Sequence, residues 1–119
     1  LLAVTFGFVA QAQNKAEIKF VTEEIDYGTI KQGADGVRVF EFKNTGKAPL
    51  VISGASSSCG CTVPSYPKDP IAPGATGKIE VKYDTQRVGA IAKTIMVTSN
   101  ATDTPNIALR IKGKVEANN

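Results

Sequence analysis

From Ile18 to Val115 apolar and polar residues alternate with a period of two, and no window sustains the 3.6-residue period of a helix. Ile18-Lys19-Phe20-Val21 predicts a short first strand with Ile18 and Phe20 on one face. Residues 37–43 predict a longer one, in which Arg38, Phe40 and Phe42 share a face and Val37, Val39 and Glu41 share the other. Leu50-Val51-Ile52-Ser53 reads as a short apolar strand. Over residues 78–83, Ile79, Val81 and Tyr83 point inward against Lys78, Glu80 and Lys82. Ile91, Lys93, Ile95 and Val97 then alternate with Ala92, Thr94, Met96 and Thr98. A last strand sets Ile107, Leu109, Ile111 and Val115 opposite Arg110, Lys112 and Lys114.

Turn chemistry separates these runs. Asp26-Tyr27-Gly28, Gln32-Gly33-Ala34-Asp35-Gly36 and Asn44-Thr45-Gly46-Lys47 are rich in turn formers, which leaves Thr29 and Ile30 as a short edge strand. Pro64, Pro67, Pro70 and Pro73 crowd one stretch. Proline lacks the N–H that a central ladder needs, so this stretch is a loop or an edge crossing the end of the fold. Residues 100–106 read as a hairpin loop. About seven short strands, each with one apolar and one polar face, predict an all-β, antiparallel two-sheet β-sandwich.

Composition narrows function more than fold. The 119 residues suit one domain with one modest core. The chain has no His, so it cannot assemble a Ser–His or Cys–His nucleophile pair, and it lacks the commonest nitrogen ligand for metals. Its net charge of +3 is spread along the strands, without the clustered basic face that nucleic-acid binding needs, and no nucleic acid is expected as a partner.

The first ten residues are uncharged and apolar, but too few to span a bilayer as a helix. They run into Ala10-Gln11-Ala12, a small-x-small pattern of the kind a signal peptidase cuts. Residues 1–12 are therefore expected to be a signal-peptide remnant cleaved after Ala12, with 13–119 as a single mature domain. The competing reading is a first strand built on the alternation of Val4, Phe6 and Phe8. With no transmembrane segment in the mature chain, the expectation is a monomer exported to the periplasm or the cell exterior, where disulfides persist.

Soft chemistry is confined to Ser56-Ser57-Ser58-Cys59-Gly60-Cys61-Thr62-Val63-Pro64, which holds both cysteines. In a flat strand Cys59 and Cys61 would point to the same side, about 6.6 Å apart at Cα. Disulfides accept about 4.4–6.8 Å, mostly the shorter distances, so a bond here needs a bend at Gly60, the residue type that bends most freely. Three readings stand side by side. A small, strained ring is easily reduced, which would make Cys59 and Cys61 a reversible dithiol. Two thiolates on one face would suit Cu(I), with Met96 adding a thioether if the fold brings it near. Alternatively the cysteines are structural, as buried thiols or as a disulfide pinning a turn. Outside the Cu(I) reading no cofactor is expected, and no residue is assigned a catalytic role. Ser56, Ser57 and Ser58 lack a partner base and read as a flexible polar loop. Glu23, Glu24 and Asp26 read as a solvated strand edge.

Several of these segments resemble a known family. Phe40-Glu41-Phe42-Lys43-Asn44-Thr45-Gly46 followed by Pro49-Leu50-Val51-Ile52 is similar to the start of the bacterial domain-of-unknown-function family 1573, DUF1573. Ser58-Cys59-Gly60-Cys61-Thr62-Val63-Pro64, Ile71-Ala72-Pro73-Gly74 and Lys112-Gly113-Lys114-Val115 continue the likeness in order. It runs over roughly residues 26–115, with Cys-Gly-Cys-Thr as its most specific part. The resemblance implies an immunoglobulin-like sandwich related to Hydin and major-sperm-protein domains, and an exported protein. It implies no activity, because a shared sandwich does not fix function. The expectation is an exported, non-catalytic module that binds a protein or surface partner through strand edges and end loops, or serves a structural role. The alternative is a periplasmic thiol–disulfide or Cu(I)-binding protein acting through Cys59, Gly60 and Cys61.

Overall fold

Alternation of apolar and polar positions resolves into eight strands in the computed structural model, which describes residues 15–118. The expected signal remnant over 1–12, its cleavage after Ala12 and the competing strand through Val4, Phe6 and Phe8 lie outside the described residues. In chain order the strands are β1 (Ile18–Phe20), β2 (Glu24–Lys31), β3 (Val37–Asn44), β4 (Ile52–Ser57), β5 (Thr62–Ser65), β6 (Thr76–Tyr83), β7 (Gly89–Ser99) and β8 (Asn106–Glu116). They form two four-stranded sheets, ordered β1-β3-β6-β5 and β2-β8-β7-β4. The inward faces are those the alternation sets. Phe40, Phe42, Ile79 and Val81 from one sheet meet Ile91, Ile95, Val97, Leu109, Ile111 and Val115 from the other, all buried. Lys78, Glu80 and Lys82 stay in water.

Three segments differ from the sequence expectation, each for a local reason. Asp26-Tyr27-Gly28 does not turn the chain. Gly28, at φ 68°, is absorbed as a bulge inside β2, between Asp26 and Thr29. That places Tyr27 inward, where its hydroxyl donates to the Gly36 carbonyl at 2.7 Å, and burial pushes its phenol above the ordinary value. β2 pairs with β8 in parallel, while the other described pairings are antiparallel. The chain reaches β2 by crossing from one sheet to the other, not by a hairpin, so nothing forces the antiparallel sense.

The second difference is β5, the strand added to the expected seven. The proline-rich stretch is an edge at its start, as one of its two readings had it. Pro64 pairs with Val81 on the outermost strand of its sheet, where a missing N–H costs no ladder bond. The third is β4. Leu50 forms an isolated bridge to Ile71, and the strand proper begins at Ile52 and runs on through Ser57. Ser56 and Ser57, expected in a flexible loop, are paired with Met96 and Ile95.

Asn44 closes β3 and is fully buried. Its Nδ2 donates to the carbonyls of Ala48 at 2.8 Å and Ile71 at 3.0 Å. Its Oδ1 accepts from the backbone N–H of Gly46 at 2.9 Å and of Glu17 at 3.4 Å. One amide therefore ties the chain before β1, the 45–48 turn and the proline-rich strap to the end of β3. Leu50 and Ile71 exchange backbone hydrogen bonds of 2.9 and 2.7 Å beside it. Replacing Asn44 by Ala leaves buried carbonyls and N–H groups without partners, and each orphan costs about 1–3 kcal/mol. Asn44→Ala is expected to lower the unfolding free energy in urea titration by about 3 kcal/mol, and Asn44→Asp by more, since it turns a carboxylate toward two carbonyls. A change of less than about 1 kcal/mol would show that water replaces the amide at little cost.

Candidate functional site

Both cysteines lie where the chain leaves one sheet for the other. β4 is the edge of its sheet and β5 the edge of the facing one, and residues 58–61 form the turn between them. The turn is closed by the Thr62 N–H donating to the Cys59 carbonyl at 3.2 Å. It is anchored to the end of β6 by the Asp84 N–H donating to the Cys61 carbonyl at 2.8 Å. Within it Cys59 and Cys61 are joined by a disulfide, with their Cα atoms 5.2 Å apart, closer than a flat strand allows. Gly60 occupies the bend, as the sequence expectation placed it. It does not lie at positive φ, and a Cβ built on it meets open space. The bend itself does not demand glycine.

The two sulfurs are not equivalent. Cys61 belongs to the hydrophobic core and is 6% exposed, whereas Cys59 is half-buried and packs against the rim of that core. Cys61 Sγ has Thr62 Oγ1 at 3.6 Å. Cys59 Sγ accepts two hydrogen bonds, from the Cys61 backbone N–H at 3.2 Å and from Arg87 Nη1 at 3.4 Å. Arg87 stands in the loop between β6 and β7, 28 residues along the chain from Cys59. Sequence reasoning missed it, along with Asp84, and gave Thr62 no role beyond its place in the Cys-Gly-Cys-Thr motif. No motif marks Arg87, because the approach is made by the β5–β6 pairing and the loop that follows it.

The remaining candidates stand apart from the turn. Met96 lies on β7 with 42% of its surface exposed, paired across the sheet with Ser56, while Cys61 is buried in the core. Glu24 pairs with Lys112 at 3.6 Å, and Asp26 accepts the Gly28 N–H at 2.8 Å, so both acids support the β2 edge. Among the described residues, no group of three or more His, Cys, Asp or Glu side chains comes together as a metal cage. No helix among them is long and apolar enough to cross a membrane.

No curated protein matches the chain in sequence. Solved structures share its fold at low identity. A protein of unknown function from Porphyromonas gingivalis W83 superposes with a TM-score of 0.77 at 18% identity, covering 87% of this chain and 48% of that one. This chain thus spans about half the length of that protein. The PapD-like domain 7 of human CEP192 superposes at 0.71 with 12% identity, over 88% of this chain and 89% of that one. The periplasmic chaperone SfaE does so at 0.55 with 11% identity, over 86% and 57%. These likenesses establish an immunoglobulin-like, PapD-like sandwich. The model of the family described as "Protein of unknown function (DUF1573)" matches residues 18–115, which takes in every strand but the last residue of β8, and the chain belongs to that family.

Proposed function

We propose that this domain is an exported, non-catalytic protein-binding module that takes up an extended segment of its partner along the free edge of β4. The observation that carries this reading is the contrast among its four sheet edges. β1 centres on the exposed Lys19, β5 includes Pro64, and β2 carries a bulge together with Glu24, Asp26 and Lys31. Proline, bulges and charge are among the usual means of keeping an edge from pairing with another chain. β4 reads Ile-Ser-Gly-Ala-Ser-Ser, with neither charge nor proline. A bulge between Ile52 and Gly54 and the Tyr66 hydroxyl, donating to the Ser53 carbonyl at 3.4 Å, cover only its first half. The half from Ala55 to Ser57 is open to strand addition, in which backbone groups supply affinity and small side chains leave the approach clear.

Export is supported by the apolar run before a small-residue cleavage pattern and by a disulfide, which persists in oxidising compartments. The likeness to a periplasmic chaperone agrees with both parts of the reading. Cu(I) handling is the weaker alternative. A guanidinium 3.4 Å from one of the two sulfurs opposes a cation bound between them, and Met96 lies out on the solvent side of β7. A purely structural disulfide is also a weak account, because closing a loop of three residues removes only about 1.6 kcal/mol of chain entropy from the unfolded state.

Two measurements check these statements. Ser56→Lys places a charge on the exposed face of β4 and should leave the melting temperature unchanged. It should also abolish most of the recovery of a partner that the wild-type domain captures from the periplasm. Equal recovery by the two proteins would remove β4 as the binding edge. Reduction with excess dithiothreitol is expected to leave the domain folded, with its unfolding free energy lower by no more than about 1.6 kcal/mol. Unfolding on reduction would instead make the bond a principal support of the sandwich.

A further inference from the structure

We infer that the turn between β4 and β5 is a thiol-exchange site in which Cys59 is the sulfur that joins a partner and Arg87 steadies its thiolate. The inference is independent of the β4 edge. It rests on an asymmetry of access and of hydrogen bonding at two sulfurs only two residues apart.

Access comes first. A thiolate attacking a disulfide approaches one sulfur in line with the S–S bond, and the other sulfur leaves. Cys61 is enclosed by core residues, so only Cys59 offers its sulfur to a partner. Hydrogen bonding points to the same atom. The Cys61 N–H and Arg87 Nη1 both aim at Cys59 Sγ, a donor arrangement that favours a negative sulfur. The charged side chains of the two segments that meet here are Arg87 and Asp84. The Asp84 carboxylate turns to the Gln86 N–H at 3.0 Å, and among the described residues Arg87 forms no ion pair. Its guanidinium is exposed, and its side-chain hydrogen bond goes to the Cys59 sulfur.

The exchange proceeds in two balanced steps. A partner thiolate attacks Cys59 Sγ, a bond forms between the partner sulfur and Cys59, and the Cys59–Cys61 bond breaks. The electron pair leaves on Cys61 Sγ, which ends as a thiol 3.6 Å from the Thr62 hydroxyl, its proton balancing the one the partner thiol released on ionising. A second partner thiolate then attacks the partner's sulfur in the mixed disulfide. Cys59 departs as a thiolate held by the Cys61 N–H and Arg87. One protein disulfide and two partner thiols become one protein dithiol and one partner disulfide, so two electrons pass from partner to protein. The same steps run backward reduce a partner disulfide. The partner class is thus a protein or small molecule bearing an accessible thiol pair, or two thiols supplied in turn.

Glutathione is the probe for the first test. The full-length oxidised protein is exposed to it, quenched in acid and mapped by mass spectrometry, which requires no substitution. The adduct is expected on Cys59. An adduct on Cys61, or a disulfide that survives excess glutathione with the fold intact, would overturn the inference. Alkylation by iodoacetamide at pH 7 is the second test. Cys61→Ser, which keeps Cys59, should react at least about tenfold faster than Cys59→Ser, which keeps the buried thiol. Adding Arg87→Gln to Cys61→Ser should slow that reaction about threefold, whereas Arg87→Lys should restore most of it. Equal rates for the two single-cysteine proteins, or no effect of Arg87→Gln, would show a merely structural pair beside an incidental arginine.

Discussion

One buried amide organises the end of this sandwich that is richest in proline. Asn44 meets four backbone groups from three separate segments, and so joins segments whose other hydrogen bonds at that point are pairwise, residues 15–17 with 45–48 and Leu50 with Ile71. Prolines 67, 70 and 73 deprive the strap after β5 of donors, so the strap cannot be held by a ladder of its own. It is held by the Ile71 carbonyl accepting from the Asn44 side chain, by the Leu50–Ile71 bridge and by backbone hydrogen bonds between Asn44 and Gly74 and Ala75. A hydrophobic contact would not serve, because the strap presents carbonyl oxygens that must be paired once buried. Tyr66, at the start of the strap, donates its hydroxyl to the Ser53 carbonyl in the first half of the β4 edge.

Much of this fold is legible in the chain because one physical signal, alternation at period two, is strong in the strands that face both core and water. β3, β6, β7 and β8 follow it, with Phe40, Ile79, Ile95 and Leu109 fully buried where the pattern sets them. The pattern is weak where a strand is an edge. β5 has four residues, one of them proline, and its apolar Val63 faces solvent at 60% exposure. β4 ends in serines, whose side chains carry no preference for either face. Gly28 reads as a turn residue because positive φ serves turns and bulges equally, and only pairing with β8 decides between them. Asn44 shows the same ambiguity. Its type fits the 45–47 turn, but nothing local announces that its side chain is buried and satisfied four times.

The candidate site was legible only in part. The sequence identifies two sulfurs, their spacing and a turn between them, because those are local properties. It cannot show which sulfur faces the core, since both would lie on one side of a flat strand. Nor can it show Arg87, which looks like any other surface cation until the β6–β7 loop folds back against the turn. The chemistry of a thiol is set largely by such neighbours, through charge, hydrogen bonds and burial. A motif read without its fold therefore leaves structural, redox and metal readings open together.

The unequal sulfurs follow from the change of sheet itself. Packed sheets lie about 10 Å apart, and the chain must cover that distance between Ser57 and Thr62. An i, i+2 pair continuing within one sheet would present both side chains equally, to core or to water. Here the path runs from an outer edge of one layer toward the inner face of the next, so successive cysteines sample different depths: Cys59 stays at the rim and Cys61 goes under. The crossing also brings the turn against the end of β6, and with it the loop that carries Arg87. Burial of one sulfur and a cation at the other thus share a single topological cause, the passage from β4 to β5. No special residue at the bend is needed to produce them, which is why a Cβ at Gly60 would meet only open space.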